Sequence, residues 1–248
     1  MRHSSFSKKR IIHLYIVIII LIIIFITVGL IMLKYNVEGE KNLPFILKKI
    51  SIVSTAESDI SQDEQEKWHA GILGKNDIFF VIEKNKNYKK EDTIKEIKFE
   101  NFKIEKTNNQ KQIAIYKPKT NEFSYSYDEE FKVVDSIEYN GAQKTNAQVL
   151  QINNQGGTIG FSVCMDNLGE YEFSTNEKVP SDGRLLEKAG LKREDIQFKI
   201  SFDVIVETGK QNKLKGNIIL ELPTGNILEE GVSTLEITDL GNIIFKRI

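Results

Sequence analysis

Apolar positions follow two different rules along this chain. From Ile11 to Leu33 they run almost unbroken, 23 residues with His13 as the single basic or acidic side chain. After Lys34 they alternate with polar residues in short stretches separated by Gly, Asn and Pro. The first pattern predicts a helix of roughly 35 Å at about 1.5 Å per residue, enough to cross a hydrocarbon core of about 30 Å. A backbone in lipid has only itself to bond to, so Ile11 to Leu33 reads as a transmembrane helix.

The second pattern predicts strands. Ile196, Phe198, Ile200, Phe202, Val204 and Val206 alternate with polar residues, and Leu214, Ile218, Leu220 and Leu222 do the same after a loop with Gly209 and Asn212. Period two over both runs predicts an antiparallel hairpin. A second hairpin is expected from 68–73 and 78–83 around a turn at Gly74-Lys75-Asn76-Asp77. Segments 45–53 and 94–104 each switch parity midway, near Lys48-Lys49 and Glu100-Asn101, as a β-bulge causes. Shorter strands are expected at 113–116, 131–139, 147–152, 159–165 and 243–245, with Pro44, Pro118, Pro180 and Pro223 at strand ends, where a missing N–H costs least. Only one stretch reads as a helix, from Asp182 through Ala189, with Ser181 as its cap and Gly190 as its stop.

The expected fold is therefore all-β: an N-terminal transmembrane helix followed by an antiparallel β-sandwich with one short helix. Asp77-Ile-Phe-Phe-Val-Ile is echoed by Thr158-Ile-Gly-Phe-Ser-Val, which suggests two tandem Ig-like modules. The parsing is a basic N-terminus (1–10), the span (11–33), a tether (34–43), module one (44–140) and module two (141–248).

Charge sets the expected orientation. Arg2, Lys8, Lys9 and Arg10 precede the span with no acid among them, whereas 34–41 balances Lys34 and Lys41 against Glu38 and Glu40. The positive-inside rule places the N-terminus in the cytoplasm and the rest outside. The basic stretch then reads as a topology signal held near anionic headgroups. A cleaved signal peptide would have a shorter apolar region ending in small residues, and the region before Lys34 offers only Gly29. A lipoprotein needs a Cys just after the apolar run, but the single Cys is Cys164. Leu222-Pro223-Thr224-Gly225 falls one residue short of the wall-anchoring pattern L-P-x-T-G.

All 35 acids follow the span, and 4 of the 34 bases precede it, so the exterior carries 30 − 35 = −5. That mild, mixed acidity argues against nucleic acid as a partner. One Cys excludes an intrachain disulfide, so packing alone must hold the exterior together.

Candidate chemistry is sparse. His69 is the only histidine after the span, which leaves no multi-His metal site, requires any Ser–His–Asp triad to use His69 and allows a Cys–His dyad only as Cys164–His69. The acidic run 57–66 lacks both calcium-loop spacing and a loop glycine, and reads as a solvated loop, as does 166–170. No catalytic, cofactor-binding or metal-ligating residue is assigned. Phe123, Tyr125 and Tyr127 are the best binding candidates: on a strand they would put three rings on one face, a platform for a sugar or a protein, although core-facing rings fit the same pattern.

The function expected is a binding or structural role at a bacterial cell envelope, with the lipid bilayer as one partner and another envelope protein or a glycan as the other. No cofactor is expected, and the oligomeric state stays open. The alternatives are a membrane-tethered carboxylate hydrolase of wall polymers, whose paired acids only a structure can reveal, and an accessory subunit of a membrane complex.

Overall fold

The structure, a computed structural model, describes residues 4–63, 67–88, 92–106, 112–141, 150–173 and 184–248. In chain order the elements are α1 (Ser4–Glu38), β1 (Phe45–Gln62), β2 (Trp68–Lys84), β3 (Ile94–Lys106), β4 (Gln112–Tyr116), β5 (Ser136–Gly141), β6 (Gln151–Ile152), β7 (Gly156–Phe173), α2 (Leu185–Lys188), α3 (Arg193–Ile196), β8 (Phe198–Thr208), β9 (Lys213–Leu222), α4 (Ile227–Glu230), β10 (Val232–Ile237) and β11 (Phe245–Arg247). They fall into two units, 1–41 and 42–248.

The first unit is α1. From Ile11 to Glu38 this helix is long and apolar enough to cross a membrane. Its one mid-span hydroxyl, Thr27, donates back to the Ile23 carbonyl at 2.8 Å and so carries its own partner. The expected tether is shorter than 34–43, because the helix continues through Glu38. No Gly or Pro stands between Leu33 and Gly39, which ends the helix with a left-handed φ of 66°. Lys8, Lys9 and Arg10 belong to the helix backbone, and Arg2 lies outside the described residues.

In the second unit the strands form two sheets. One has the order β10-β1-β2-β7-β4, antiparallel throughout; the other has the order β11-β9-β8-β3-β5-β6, antiparallel except for the β5–β6 pair. Alternate residues of facing strands meet between them. Phe80 of β2 lies 4.9 Å from Phe99 of β3 and 5.8 Å from Phe202 of β8, centroid to centroid. Phe161 of β7 lies 5.3 Å from Phe99 and 5.2 Å from Phe202, both edge-on. All four rings are completely buried. Tyr139 of β5 adds a polar link across the same gap. Pairing of β4 with β7 stops at Ser162. Beyond that point the Tyr139 hydroxyl substitutes for a strand, accepting from the Gly160 N–H at 3.1 Å and donating to the Gly160 carbonyl.

The hairpin expected near the C-terminus is β8–β9, with Val206 opposite Leu214 and Phe198 opposite Leu222. Both expected bulges are present as register shifts, between Leu47 and Lys49 in β1 and between Glu100 and Lys103 in β3, where Asn101 takes a φ of 57°.

The N-terminal hairpin is not present as expected. Gly74 to Asp77 do not turn; they lie within the 17-residue strand β2. Strands on both sides pair with this stretch, and its polar side chains find partners there. Ser54 donates to the buried Asn76 Oδ1 at 2.7 Å, and Asn76 Nδ2 donates to the Val163 carbonyl at 3.4 Å. Gly74 lies in close contact with β7, since a Cβ there would stand 3.1 Å from both Leu168 Cδ1 and Met165 Cε and would require those side chains to shift. Similarly, 57–62 and 166–170 are strand rather than loop, belonging to the ends of β1 and β7.

The tandem arrangement is also not what the sheets show. Each sheet takes strands from both sides of the expected boundary at 140/141, and residues 42–248 are one compact unit. The two echoing segments turn out to be neighbours: Asp77 pairs with Ser162, and Val81 with Thr158. Their likeness reflects two antiparallel strands sharing the same two faces. Of the expected helix, 181–183 lie outside the described residues; α2 carries the buried Leu185 and Leu186, and α3, α4 and a 3-10 turn at Glu129–Phe131 add to it.

Two outcomes follow from this core. Phe80→Ala removes a ring that touches three others, so it is expected to cost about 3–5 kcal/mol in urea denaturation of the detergent-solubilised chain. Tyr139→Phe leaves the Gly160 N–H and carbonyl without their shared partner, and the midpoint of the same titration should fall by the equivalent of about 1–3 kcal/mol.

Candidate functional site

Odd-numbered residues of β2 point away from the core, onto the outer face of the first sheet. Lys75, Asp77 and Phe79 stand there beside Cys164, Ser162 and Gly160 of β7, their register partners. The 117–135 segment covers this face, and it contains the aromatic candidates. Phe123, Tyr125 and Tyr127 are not on a strand, and Phe123 adopts a φ of 58°. Their half-buried rings turn down onto the sheet. Phe123 meets Phe79 edge-on at 5.3 Å, and Tyr127 meets Tyr116 at 5.0 Å. The Lys75 ammonium lies 4.5 Å from the Tyr127 ring centroid and also pairs with Glu57. The three rings therefore seal a sheet face rather than present an open platform.

Beneath them is a polar cluster that sequence reasoning missed. The Ser162 hydroxyl hydrogen-bonds the Asp77 carboxyl, and the Tyr127 hydroxyl lies 3.2 Å from Ser162 Oγ. Among the described residues, Asp77 Oδ1 and the Tyr125 hydroxyl are buried without hydrogen-bond partners. Burial raises the Asp77 carboxyl above its ordinary 3.8, against the opposing pull of Ser162 and Lys75. Burial also holds the Tyr125 and Tyr127 hydroxyls far above the usual phenol range and, helped by Asp166, pushes the Cys164 thiol up to about 11. At neutral pH Cys164 is a protonated, buried thiol, the inert form. A signal for the cluster did exist: Asp77 is the only acid between Trp68 and Ile82.

The Cys164–His69 dyad does not assemble. Cys164 stands opposite Lys75, six residues along β2 from His69, or roughly 20 Å at about 3.3 Å per residue. The His69 ring instead faces two carboxylates, with Asp63 Oδ2 3.2 Å from Nε2 and Glu172 Oε1 3.8 Å from Nδ1. Among the described residues, no three His, Cys, Asp or Glu side chains converge in a way that would hold a metal ion.

The second feature is an open groove of about 420 Å³ where the edges of the two sheets approach. Ile50, Ile218, Leu220 and Ile237 supply apolar lining, and the 238–244 segment, crossing from β10 to β11, forms the far wall with Asp239 and Leu240. Ile219 lies on its rim and is 65% exposed. The sequence marks this residue too, as the only apolar side chain at the polar parity of β9, among Lys213, Lys215, Asn217 and Glu221.

Two carboxylates titrate in opposite senses. Asp77 holds its proton more tightly folded than unfolded. The stability linked to it is therefore complete below 3.8 and is lost as pH rises through the raised folded value. Asp203 is the reverse case. Burial alone would raise it, but Lys215, Asn217 and Asn101 outweigh that, so its contribution is present above 3.8 and is lost as pH falls through the lowered value. Asp77→Asn should accordingly raise the melting temperature at pH 7, with the gain over the parent chain shrinking toward zero as pH falls to 3.8. A gain independent of pH would contradict this assignment.

Comparison with protein families, with curated proteins and with solved structures finds no match for this chain, so its own geometry must carry the functional reading.

Proposed function

We propose that this chain is a single-pass membrane protein with a cytoplasmic N-terminus, whose β-sandwich is displayed outside the cell to bind or hold another component of the envelope. One observation carries the reading: the apolar side chains of α1 are uncovered along its length, from Ile11 at 49% exposure to Leu33 at 63%. Apolar surface of that extent is stable only against lipid or protein, and an unbroken run of this length matches a bilayer. The charge bias across the span supports the orientation.

Binding is favoured over hydrolysis by what the groove contains. A carboxylate hydrolase needs two acids flanking its substrate, about 5–10 Å apart. Among the described residues, Asp239 is the only acid lining the groove. A neutral, apolar floor beneath a polar rim suits recognition better than proton transfer.

Protease added to intact cells should remove the exterior and leave only a fragment of the size of α1. Survival of the full chain on intact cells, with digestion only after lysis, would overturn the proposed orientation.

A further inference from the structure

The groove borders a strand edge that is left unpaired. In β9 the backbone groups alternate in direction, and the Ile248 N–H bonds to the Lys213 carbonyl at 3.1 Å. Odd-numbered residues of β9 therefore aim their N–H and C=O toward β11, and even-numbered ones toward β8. β11 covers only Leu214 to Gly216, because the chain then leaves β9 through a turn closed by Ile243 N–H on the Leu240 carbonyl. Beyond that ladder the outward backbone groups of Ile219 and Glu221 meet no backbone partner among the described residues. The apolar lining of the groove lies beside this free edge.

We infer that the free edge of β9 takes up an extended polypeptide segment of a partner protein, which adds a strand beyond β11 and drops alternate apolar side chains into the groove. This deepens the binding half of the function proposed above by naming the class of partner. Two observations select a polypeptide. A row of donors and acceptors at strand spacing is matched by another extended backbone, which repeats at the same interval. None of the described residues lining the groove is aromatic, so they offer no stacking surface to a sugar ring. Ile219, exposed on the rim of the groove, would gain a cross-strand neighbour from the same added segment.

Proline at 219 isolates the interaction. The Ile219 N–H faces outward, so Ile219→Pro removes one donor from the edge while leaving the β8–β9 ladder its bonds. The probe is a displayed library of peptides of about eight residues, apolar at alternate positions and randomised elsewhere, panned on the full chain in lipid nanodiscs. Selected peptides should lose roughly tenfold or more in affinity for Ile219→Pro. They should lose as much for the unaltered chain when N-methylated at the amides facing β9, a control that leaves the protein untouched. Three results would overturn the inference: no enrichment, binding indifferent to both changes, or self-association of the chain that Ile219→Pro abolishes and no peptide competes. Because the purified chain is used, none of these depends on the protease result, and the orientation can fail without affecting them.

Discussion

Four phenylalanine rings, Phe80, Phe99, Phe161 and Phe202, hold the two sheets face to face, and the rest of the second unit is arranged around that contact. Each comes from a different strand, two per sheet, with centroid separations of 4.9–5.9 Å. Edge-to-face packing of this kind adds to the burial of apolar surface because the positive ring edge meets the negative ring face. With a single buried Cys164 there is no disulfide to share the task. The contact also explains why residues on either side of position 140 belong to one core, since Phe80 and Phe99 precede it and Phe161 and Phe202 follow it.

Polar groups placed in this apolar frame specify register rather than weaken it. Ser54, Asn76 and Thr224 form a buried network: Ser54 Oγ donates to Asn76 Oδ1 and accepts from the Thr224 N–H at 3.0 Å. A slip of β1 against β2 by one residue would separate these groups and turn the apolar set outward. Tyr139 works in the same way, satisfying Gly160 where β4 ends. The outer face of the first sheet differs. There Asp77 Oδ1 and the Tyr125 hydroxyl remain unsatisfied under the 117–135 segment, and the resulting cost appears as the raised affinity of Asp77 for its proton.

The edges of the two sheets are managed unequally, and this difference points to function. At β4, the N–H of Val133 bonds to the Ile115 carbonyl at 2.8 Å and Lys117 bonds to Phe131 at 2.9 Å, which closes that edge. At β9, cover stops at Gly216. An uncovered edge invites pairing with other chains, and proteins ordinarily blunt such edges with charge, proline or a covering segment. Here Ile219 is the residue at the centre of the open stretch, with an apolar groove beside it.

Local periodicity determined a good deal by itself. It marked the membrane-length helix, the β8–β9 hairpin and both bulges, because each depends on side-chain order along one segment and on a rule with a fixed period. Tertiary structure decided what that order cannot encode. Gly74-Lys75-Asn76-Asp77 has turn composition, yet partners on both sides draw it into β2. Phe123, Tyr125 and Tyr127 have strand alternation, yet the surface beneath them needed covering and bent the chain otherwise. Which strands are neighbours, where an edge is left open, and which carboxylate ends up buried all depend on contacts between residues far apart in the chain, and no local pattern records those.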